Sequence, residues 1–334
     1  MRIAFFIPGP LASVSGGYGY DRRIIDGLRA AGHGVEVVAF AGAPGDAWAG
    51  LGAGVVPVID GLGLPAFAGL GEALAGRRTV GLIHHPTALE TGLDAAEKAA
   101  RTALERELFA RLAVVIVTSA DTAARVEEGF GVPAGRIVVV EPGTEAAARC
   151  VGSGGPECEI LSVGSLIPRK GHDALLRSLA RLFDLDWRLT IAGGAEDADY
   201  AASLRELSVT LGIAERVNFA GVVTGAALEA LWARADMFAL ATHYEGYGMA
   251  VAEALKRGVP VVVTAGGAAG ALVSPSAGSV CPVGDEVTLS KALRRMIYDA
   301  GLRAECRDAA WEVGQGLPDW TTQAGLFAAA IGRE

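Results

Sequence analysis

The sequence predicts an α/β protein made of two doubly wound units, each built around a parallel sheet. Short β-branched runs alternate with longer helical stretches that are rich in alanine and leucine. The runs lack a strict apolar–polar alternation, which is typical of strands buried on both faces. The alternation is interrupted once, near residue 150, and then starts again. We therefore expect two domains of the same architecture.

Six apolar runs in the first half are predicted strands, and the first two bracket a predicted helix, YDRRIIDGLRAAGH. The runs are RIAFFIP, GVEVVAF, VVPVID, TVGLIHH, VVIVTS and RIVVVEPG. Six more follow in the second half: EILSVGS, WRLTIAGG, RVNFAGVV, MFALAT, VPVVVT and AGSVCPV. The segment GTEAAARCVGSGGPECE between the two sets is a predicted linker. We assign 1–150 to a first domain, 151–316 to a second and 317–334 to a terminal helix, for which the first domain is one place to pack.

Composition and charge exclude several classes of protein. The chain is 51% hydrophobic, which is too apolar for a disordered protein. Its net charge of −9 and the lack of a Lys/Arg stripe argue against a nucleic-acid partner. No run reaches the roughly 18 apolar residues of a membrane span, although peripheral contact with a membrane stays open. The four cysteines lack zinc or CxxC spacing, which predicts reduced thiols in a cytoplasmic protein.

The first motif, VGSLIPRKGHDALLRSLARL at 163–182, indicates an anion site. A strand is predicted to end at Gly164, a loop carries Arg169 and Lys170, and a helix follows Gly171. Two cations beside glycines and a helix N-terminus suit a phosphate. The alternative is a solvated basic loop.

The second motif is THYEGYGMAVAEALKRGVP at 242–260, in which a Gly-Tyr-Gly turn is followed by a helix predicted to begin at about Met249. Glu245 lies directly before the turn, and Glu253 lies inside the helix. A carboxylate accepts two hydroxyl groups, which suits a sugar diol. Both loops follow strands of one domain, so cations and carboxylates should meet at one edge of its sheet, in the cleft between the two units. This predicts a nucleotide-sugar site. The alternative is a strand–turn–helix unit with solvated glutamates.

These motifs resemble the retaining glycosyltransferases of GT-B fold in glycosyltransferase family 4, the glycosyl transferases of group 1. The resemblance rests on four landmarks: Gly-x5-Lys-Gly at 164–171, LTIAGG at 189–194, RVNFAGVV at 216–223, and the pair Glu245 and Glu253 in an E-x7-E element. It is weaker in the first half, through GPLASVSGGYGYDRRIIDGLRAAGHGVEVV and VVIVTSADTAARV. The fold it implies is two Rossmann-like domains, with the acceptor on the first and the donor on the second.

The resemblance implies transfer of a hexosyl group from a UDP- or GDP-sugar to an unknown hydroxyl acceptor, without a metal or a further cofactor. Lys170 and Arg169 would neutralise the diphosphate, Glu253 would bind the ribose, and Glu245 would touch the transferred sugar. His84 stands where the family often has a histidine near the reacting sugar. The other implied donor contacts are Gly16 and Gly17 at the diphosphate, Val222 and Val223 at the base, Ser165, and the amides of Gly246, Tyr247, Gly248 and Met249.

The sequence departs from the family pattern at two places. Ser165 stands where many members have arginine, so Arg169 is expected to supply the second cation. EPGTE at 141–145 replaces the family's Asn-Gly-x-Asp, so hinge contacts do not transfer. His84 and His85 form a pair that would suit a metal, but no third ligand is evident, so no metal is expected. Tyr18 and Tyr20 either line an acceptor pocket or pack. Two other functions remain open: a nucleotide-sugar epimerase and a non-catalytic nucleotide-sugar binding protein.

Overall fold

The computed structural model describes residues 1–333, which form two compact units. The first unit contains Met1–Gly143 and the chain from Pro318 onwards, and the second contains Thr144–Leu317. Each unit has one six-stranded sheet in which all paired strands run parallel. Every predicted apolar run contains a strand. The predicted fold class is therefore confirmed.

The first unit has a sheet flanked by helices. Its strands are β1 (Arg2–Pro8), β2 (Gly34–Phe40), β3 (Val55–Asp60), β4 (Val80–Ile83), β5 (Val114–Val117) and β6 (Ile137–Val139). Its helices before the linker are α1 (Gly16–Ala30), α2 (Gly45–Ala49), α3 (Gly71–Ala75), α4 (Ala95–Ala110) and α5 (Ala120–Phe130), with 3₁₀ turns at Leu64–Leu70, Thr87–Leu89 and Ala134–Arg136. The strand order is β2-β1-β3-β4-β5-β6. Because β3 and β4 are neighbours, the residues that end them lie side by side at one edge of the sheet.

Three long helices of the first unit begin at side chains that cap free backbone amides. Ser15 accepts a hydrogen bond from the amide of Tyr18 at the start of α1. Asp94 and Glu97 form a reciprocal capping box at the start of α4. Ser119 caps α5. The cap at Ser15 fixes where α1 begins, and this start puts Gly16 and Gly17 in its first turn.

The second unit repeats the architecture. Its strands are β7 (Cys158–Val163), β8 (Trp187–Ala192), β9 (Val217–Gly221), β10 (Met237–Leu240), β11 (Val261–Thr264) and β12 (Gly278–Cys281). Its helices are α6 (His172–Ala180), α7 (Ala198–Thr210), α8 (Gly225–Arg234), α9 (Met249–Lys256), α10 (Glu286–Tyr298) and α11 (Ala300–Gln315), with 3₁₀ turns at Pro168–Lys170, Ala214–Arg216 and Ala268–Leu272. The strand order is β12-β11-β10-β7-β8-β9. This order places the loops after β7, β10 and β11 next to one another.

The boundary between the units lies at the start of the linker predicted from Gly, Ser and Pro, and before the predicted domain end at residue 150. It follows Gly143, because the chain beyond it already packs on the second unit. The amide of Cys150 donates to the carbonyl oxygen of Arg257 at 2.8 Å, and its buried side chain joins a core cluster that contains Trp232. Residues near 150 are thus part of the second unit's core.

The last helix, α12 (Trp320–Gly332), belongs to the first unit. The ring of Phe327 stacks on Phe5 of β1 at 5.9 Å, and Trp320 meets the edge of Tyr20 at 5.7 Å. The added Cβ of any residue at Gly27 would clash with Ala324, so α1 and α12 approach closely. The absence of a Cβ at Gly27 therefore allows this pairing.

Two further findings concern the membrane and the thiols. Within residues 1–333, no helix has both the length and the apolar composition required to cross a bilayer. The four cysteines are free and buried. Burial raises the pKa of Cys158 to about 12, so this thiol stays protonated at neutral pH.

Candidate functional site

The second unit gathers its charged motif residues at one edge of its sheet. Lys170 Nζ lies 2.6 Å from Glu245 Oε1, and Thr242 donates to the same oxygen at 3.0 Å. The side chains of Lys170 and Glu245 are only 16% and 9% exposed. Burial alone would raise the pKa of Glu245, but Lys170 and Arg169 outweigh it and hold that pKa below its usual value. The lowered pKa keeps Glu245 ionised in this largely buried contact.

Arg169 braces the loop that carries Glu245. Its guanidinium donates to the carbonyl oxygen of Tyr244 at 2.8 Å and lies 3.9 Å from Glu245 Oε2. Its own carbonyl oxygen accepts from the amide of His243 at 2.8 Å and lies 3.0 Å from the hydroxyl oxygen of Thr242. The loops after β7 and β10 are thus tied together by backbone and side-chain bonds.

Glycines allow these loops to approach. Gly171 has φ +62°, and an added Cβ would come far inside van der Waals contact with the carbonyl oxygen of Ala241. Gly267 has φ +65° and forms an isolated parallel β-bridge with Glu245. An added Cβ at Gly267 would clash with the carbonyl oxygen of Glu245. Sequence reasoning missed Gly266 and Gly267, although a Gly-Gly pair directly after a predicted strand signals close backbone approach.

Helix α9 begins at Met249, as predicted, after Gly248 in a positive-φ conformation of +106°. Its first turn contains no acidic side chain, so the positive end of the helix is not neutralised locally. Glu253 lies one turn into the helix. Burial raises its pKa to about 7, although Arg257 opposes the shift and Glu229 adds to it. A glutamate exposed to solvent would not have its pKa raised by burial, so Glu253 differs from the solvated glutamate of the alternative interpretation.

Three further residues predicted for the donor lie on the loops after β7 and β9. The backbone of Ser165 lies beside His172, whose Nε2 is 3.3 Å from the carbonyl oxygens of Gly164 and Ser165. Val222 follows β9, and 57% of it is exposed although it is apolar. Val223 is partly exposed directly before Thr224, the N-cap residue of α8.

A second cluster lies in the first unit around His84, which directly follows β4. His84 Nε2 is 3.1 Å from Asp21 Oδ1 on α1 and 3.6 Å from Asp60 Oδ2 at the end of β3. Sequence reasoning missed both aspartates: no third ligand was evident beside the pair His84 and His85, yet two carboxylates lie beside His84. Asp60 could have been found, because it ends one strand as His84 follows another. The three groups lie close enough to share a metal ion, whereas the expectation of no metal stays a prediction.

The other predicted residues of the first unit have separate places. Gly17 lies against the His84 ring, since an added Cβ would be 3.3 Å from its Cδ2. His85 is engaged elsewhere, with Nε2 2.8 Å from Glu90 Oε1. Tyr20 packs in the core, and its hydroxyl donates to the carbonyl oxygen of Val140 at 3.0 Å. The hydroxyl of Tyr18 donates to the carbonyl oxygen of Pro8. Tyr20 therefore does not line an open pocket.

Curated relatives match part of this chain. A D-inositol 3-phosphate glycosyltransferase of Salinispora tropica is 30% identical over 236 residues, which cover 63% of this chain and 49% of the relative. An uncharacterized glycosyltransferase of Methanocaldococcus jannaschii is 35% identical over 120 residues, or 36% of this chain and 30% of that protein. The chain thus spans about half the length of the D-inositol 3-phosphate glycosyltransferases that it matches.

Solved structures show the same fold. Sucrose-phosphate synthase from Thermosynechococcus elongatus superposes with a TM-score of 0.84 at 19% identity, covering 98% of this chain and 97% of that one. Anabaena HepE, solved in complex with UDP-glucose, superposes with a TM-score of 0.83 at 18% identity over 99% of both chains.

Two protein families match the sequence directly. Residues 55–143 match the glycosyl transferase 4-like domain, and residues 151–313 match the glycosyl transferases of group 1. The second range contains the whole Lys170–Glu245 cluster and Glu253. The chain belongs to the group 1 glycosyl transferases, with a first domain of the glycosyl transferase 4-like type.

Proposed function

We propose that this protein transfers a hexosyl group from a nucleotide-diphosphate sugar to a hydroxyl acceptor, with retention of configuration and without a metal. The observation that carries the proposal is the buried Lys170–Glu245 contact beside Arg169 and the start of α9. It brings a cation for a leaving phosphate and a carboxylate for sugar hydroxyls within one hydrogen bond of each other. We propose UDP as the nucleotide of the donor, because HepE, which has the same fold, was solved with UDP-glucose.

Each residue has a role in this proposal. The negative charge of the leaving diphosphate grows as the glycosidic bond breaks, and Lys170 and the amides of α9 stabilise it. The leaving phosphate then assists deprotonation of the acceptor on the same face of the sugar. Glu245 binds the transferred hexose, Glu253 the ribose, and His84 acts near the reacting sugar. The other donor contacts are Gly16, Gly17, Ser165, Arg169, Val222, Val223, Gly246, Tyr247, Gly248 and Met249.

The basic experiment incubates the protein with UDP-hexoses and a panel of hydroxyl acceptors, and measures UDP release and the anomeric configuration of the product. Release of UDP with an α-linked product from an α-linked donor supports the proposal. Epimerisation of the donor without an acceptor would support the nucleotide-sugar epimerase instead. Donor binding with no turnover on any acceptor would support a non-catalytic binding protein.

The metal-free mechanism predicts that turnover survives chelation. Among the described residues of the second unit, no three His, Cys, Asp or Glu side chains lie close enough to share a metal ion. Lys170 and the helix end therefore provide the positive charge for the diphosphate. Turnover measured with and without excess EDTA should differ by less than twofold. Loss of turnover in EDTA that added Mg²⁺ restores would contradict the mechanism.

The pKa of Glu253 predicts a pH-dependent affinity for UDP. Hydroxyl donors of the ribose stabilise the carboxylate, so binding should lower the pKa of Glu253 from about 7 and release a proton. Affinity should then rise between pH 6 and pH 8 and level off above. Glu253→Ala should remove this rise and weaken UDP binding by roughly 1.5–3 kcal/mol. Calorimetry at several pH values measures both effects.

Glu206→Gln on α7 is the control, because this exposed glutamate makes no side-chain hydrogen bond in the described part of the chain. It should leave the affinity and its pH dependence unchanged. An unchanged UDP affinity in Glu253→Ala would rule out the assignment of Glu253 to the ribose.

A further inference from the structure

The Asp21–Asp60–His84 cluster is the strongest feature that the sequence motifs do not explain. We infer that Asp21 and Asp60 are positioning residues for His84: they hold Nε2 from the buried side, so that the ring keeps one orientation and presents Nδ1 to a substrate. The part of this inference that concerns the substrate rests on the proposed function. The orientation and charge of the ring do not.

The cluster is assembled from separate elements, which makes it rigid. Asp21 comes from the second turn of α1, Asp60 from the last position of β3, and His84 from the residue after β4. The hydroxyl of Thr118, after β5, donates to the carbonyl oxygen of His84 at 3.2 Å. The backbone and the ring of His84 are therefore both fixed.

Two neighbours on α1 further restrict the ring. Gly17 lies against the Cδ2 side of His84, where a Cβ would be only 3.3 Å away. Tyr20 meets the ring edge to face, with centroids 5.2 Å apart. The imidazole is thus held between a glycine, an aromatic ring and two carboxylates, and rotation about its side-chain bonds would break several contacts at once.

Exposure decides which member of the cluster meets a substrate. The side chains of Asp21 and Asp60 are 0% and 4% exposed, whereas that of His84 is 19% exposed. Every polar contact of the imidazole within residues 1–333 is made by Nε2. The aspartates therefore act through His84, and Nδ1 is the ring atom left for a ligand.

The charges agree with this orientation. Burial alone would lower the pKa of His84, but Asp21 and Asp60 outweigh it and raise the pKa to about 10. Burial raises the pKa of Asp21 to about 7, whereas bonds to His84 keep the pKa of Asp60 below its usual value. Tyr18 also faces the cluster, and burial together with the two carboxylates raises its pKa. With its pKa raised in this way, His84 favours the imidazolium form, which can donate a hydrogen bond from Nδ1 to an oxygen that carries or gains negative charge.

The test is a pH titration of the full chain labelled with ¹⁵N-histidine and monitored by NMR. The signals of His84 are assigned by their loss in a His84→Gln variant. In the parent, both nitrogens of His84 should stay protonated through pH 8. In Asp21→Asn, which keeps the shape and removes the charge, the pKa of His84 should fall by roughly 1–3 units. Glu90→Gln makes the same chemical change beside His85 and should leave the pKa of His84 unchanged.

Three results from titration and metal binding would overturn the inference. One is a parent His84 that is neutral at pH 7. Another is an identical His84 titration in the parent, Asp21→Asn and Asp60→Asn. The third is stoichiometric binding of added Zn²⁺ at pH 7 that Asp21→Asn abolishes, because the cluster would then serve a metal. Melting curves of each variant show whether it is folded, and Asp60→Asn replaces Asp21→Asn if the latter is not.

Turnover against pH separates this inference from the proposed function. If His84 acts on the substrate as an imidazolium, Asp21→Asn should lose turnover at a lower pH than the parent, by the same shift that NMR records. A shifted His84 pKa with an unchanged turnover profile would overturn the positioning role. No turnover in the parent on any donor would overturn the proposed function, while NMR would still decide the state of His84.

Discussion

Lys170→Ala is expected to lower turnover by roughly 10²–10³-fold, the cost of removing one charged donor from a developing anion. The affinity for UDP should fall much less, because the charge on the leaving phosphate is greatest in the transition state and the cation matters most there. Turnover is measured with saturating UDP-hexose, and UDP affinity by calorimetry. Lys291→Ala on α10 is the control: it is an exposed lysine of the same unit and should change neither quantity.

Loss of folding must be separated from loss of catalysis, because Lys170→Ala leaves the buried carboxylate of Glu245 without the lysine that neutralises it. Removing one partner of a buried ion pair costs about 3–5 kcal/mol, although Thr242 and Arg169 still contact Glu245 here. The double variant Lys170→Met/Glu245→Gln removes both charges and should recover melting temperature without recovering turnover. Recovery of turnover in the double variant would contradict a catalytic role for Lys170.

The strands were predictable because parallel strands that are buried on both faces have uninterrupted apolar sequences. The charged loops were predictable because they follow such runs directly, as Lys170 follows β7 and Glu245 follows β10. Their complementary charges were expected at one edge of the sheet. The direct contact between Lys170 and Glu245 was not predicted, because it depends on β7 and β10 being neighbours in the sheet. The pattern of apolar runs does not determine the order of the strands.

The same limit explains the missed aspartates. Asp60 and His84 are far apart in sequence and meet only because β3 and β4 pair. Asp21 lies on α1 among charged residues and gives no sign that it is wholly buried. Sequence reasoning also gave no sign of the raised pKa of Glu253, which follows from the burial of its carboxyl group. Properties set by one element and its own residues are readable from sequence, whereas properties set by packing between elements are not.

Gly171→Ala tests whether the loop that carries Lys170 depends on close packing against β10. Gly171 has φ +62° and ψ +29°, a left-handed conformation that costs a residue with a Cβ about 1–2 kcal/mol. Its added Cβ would also clash with the carbonyl oxygen of Ala241, and relieving such overpacking costs about 1–3 kcal/mol more. The melting temperature should therefore fall strongly. UDP affinity should fall with it, because the loop must move away from Ala241 and take Lys170 along.

The matched control is Gly212→Ala in the same unit, where φ is +71° and no atom lies within 4 Å of an added Cβ. It carries the same kind of backbone strain without the clash, so the difference between the two variants measures the contact with Ala241. Thermal melting and UDP calorimetry on both variants and the parent give that difference. Because strain alone should leave the site intact, Gly212→Ala should bind UDP like the parent. Equal melting temperatures and equal UDP affinities in the two variants would mean that packing against Ala241 does not hold the Lys170 loop in place.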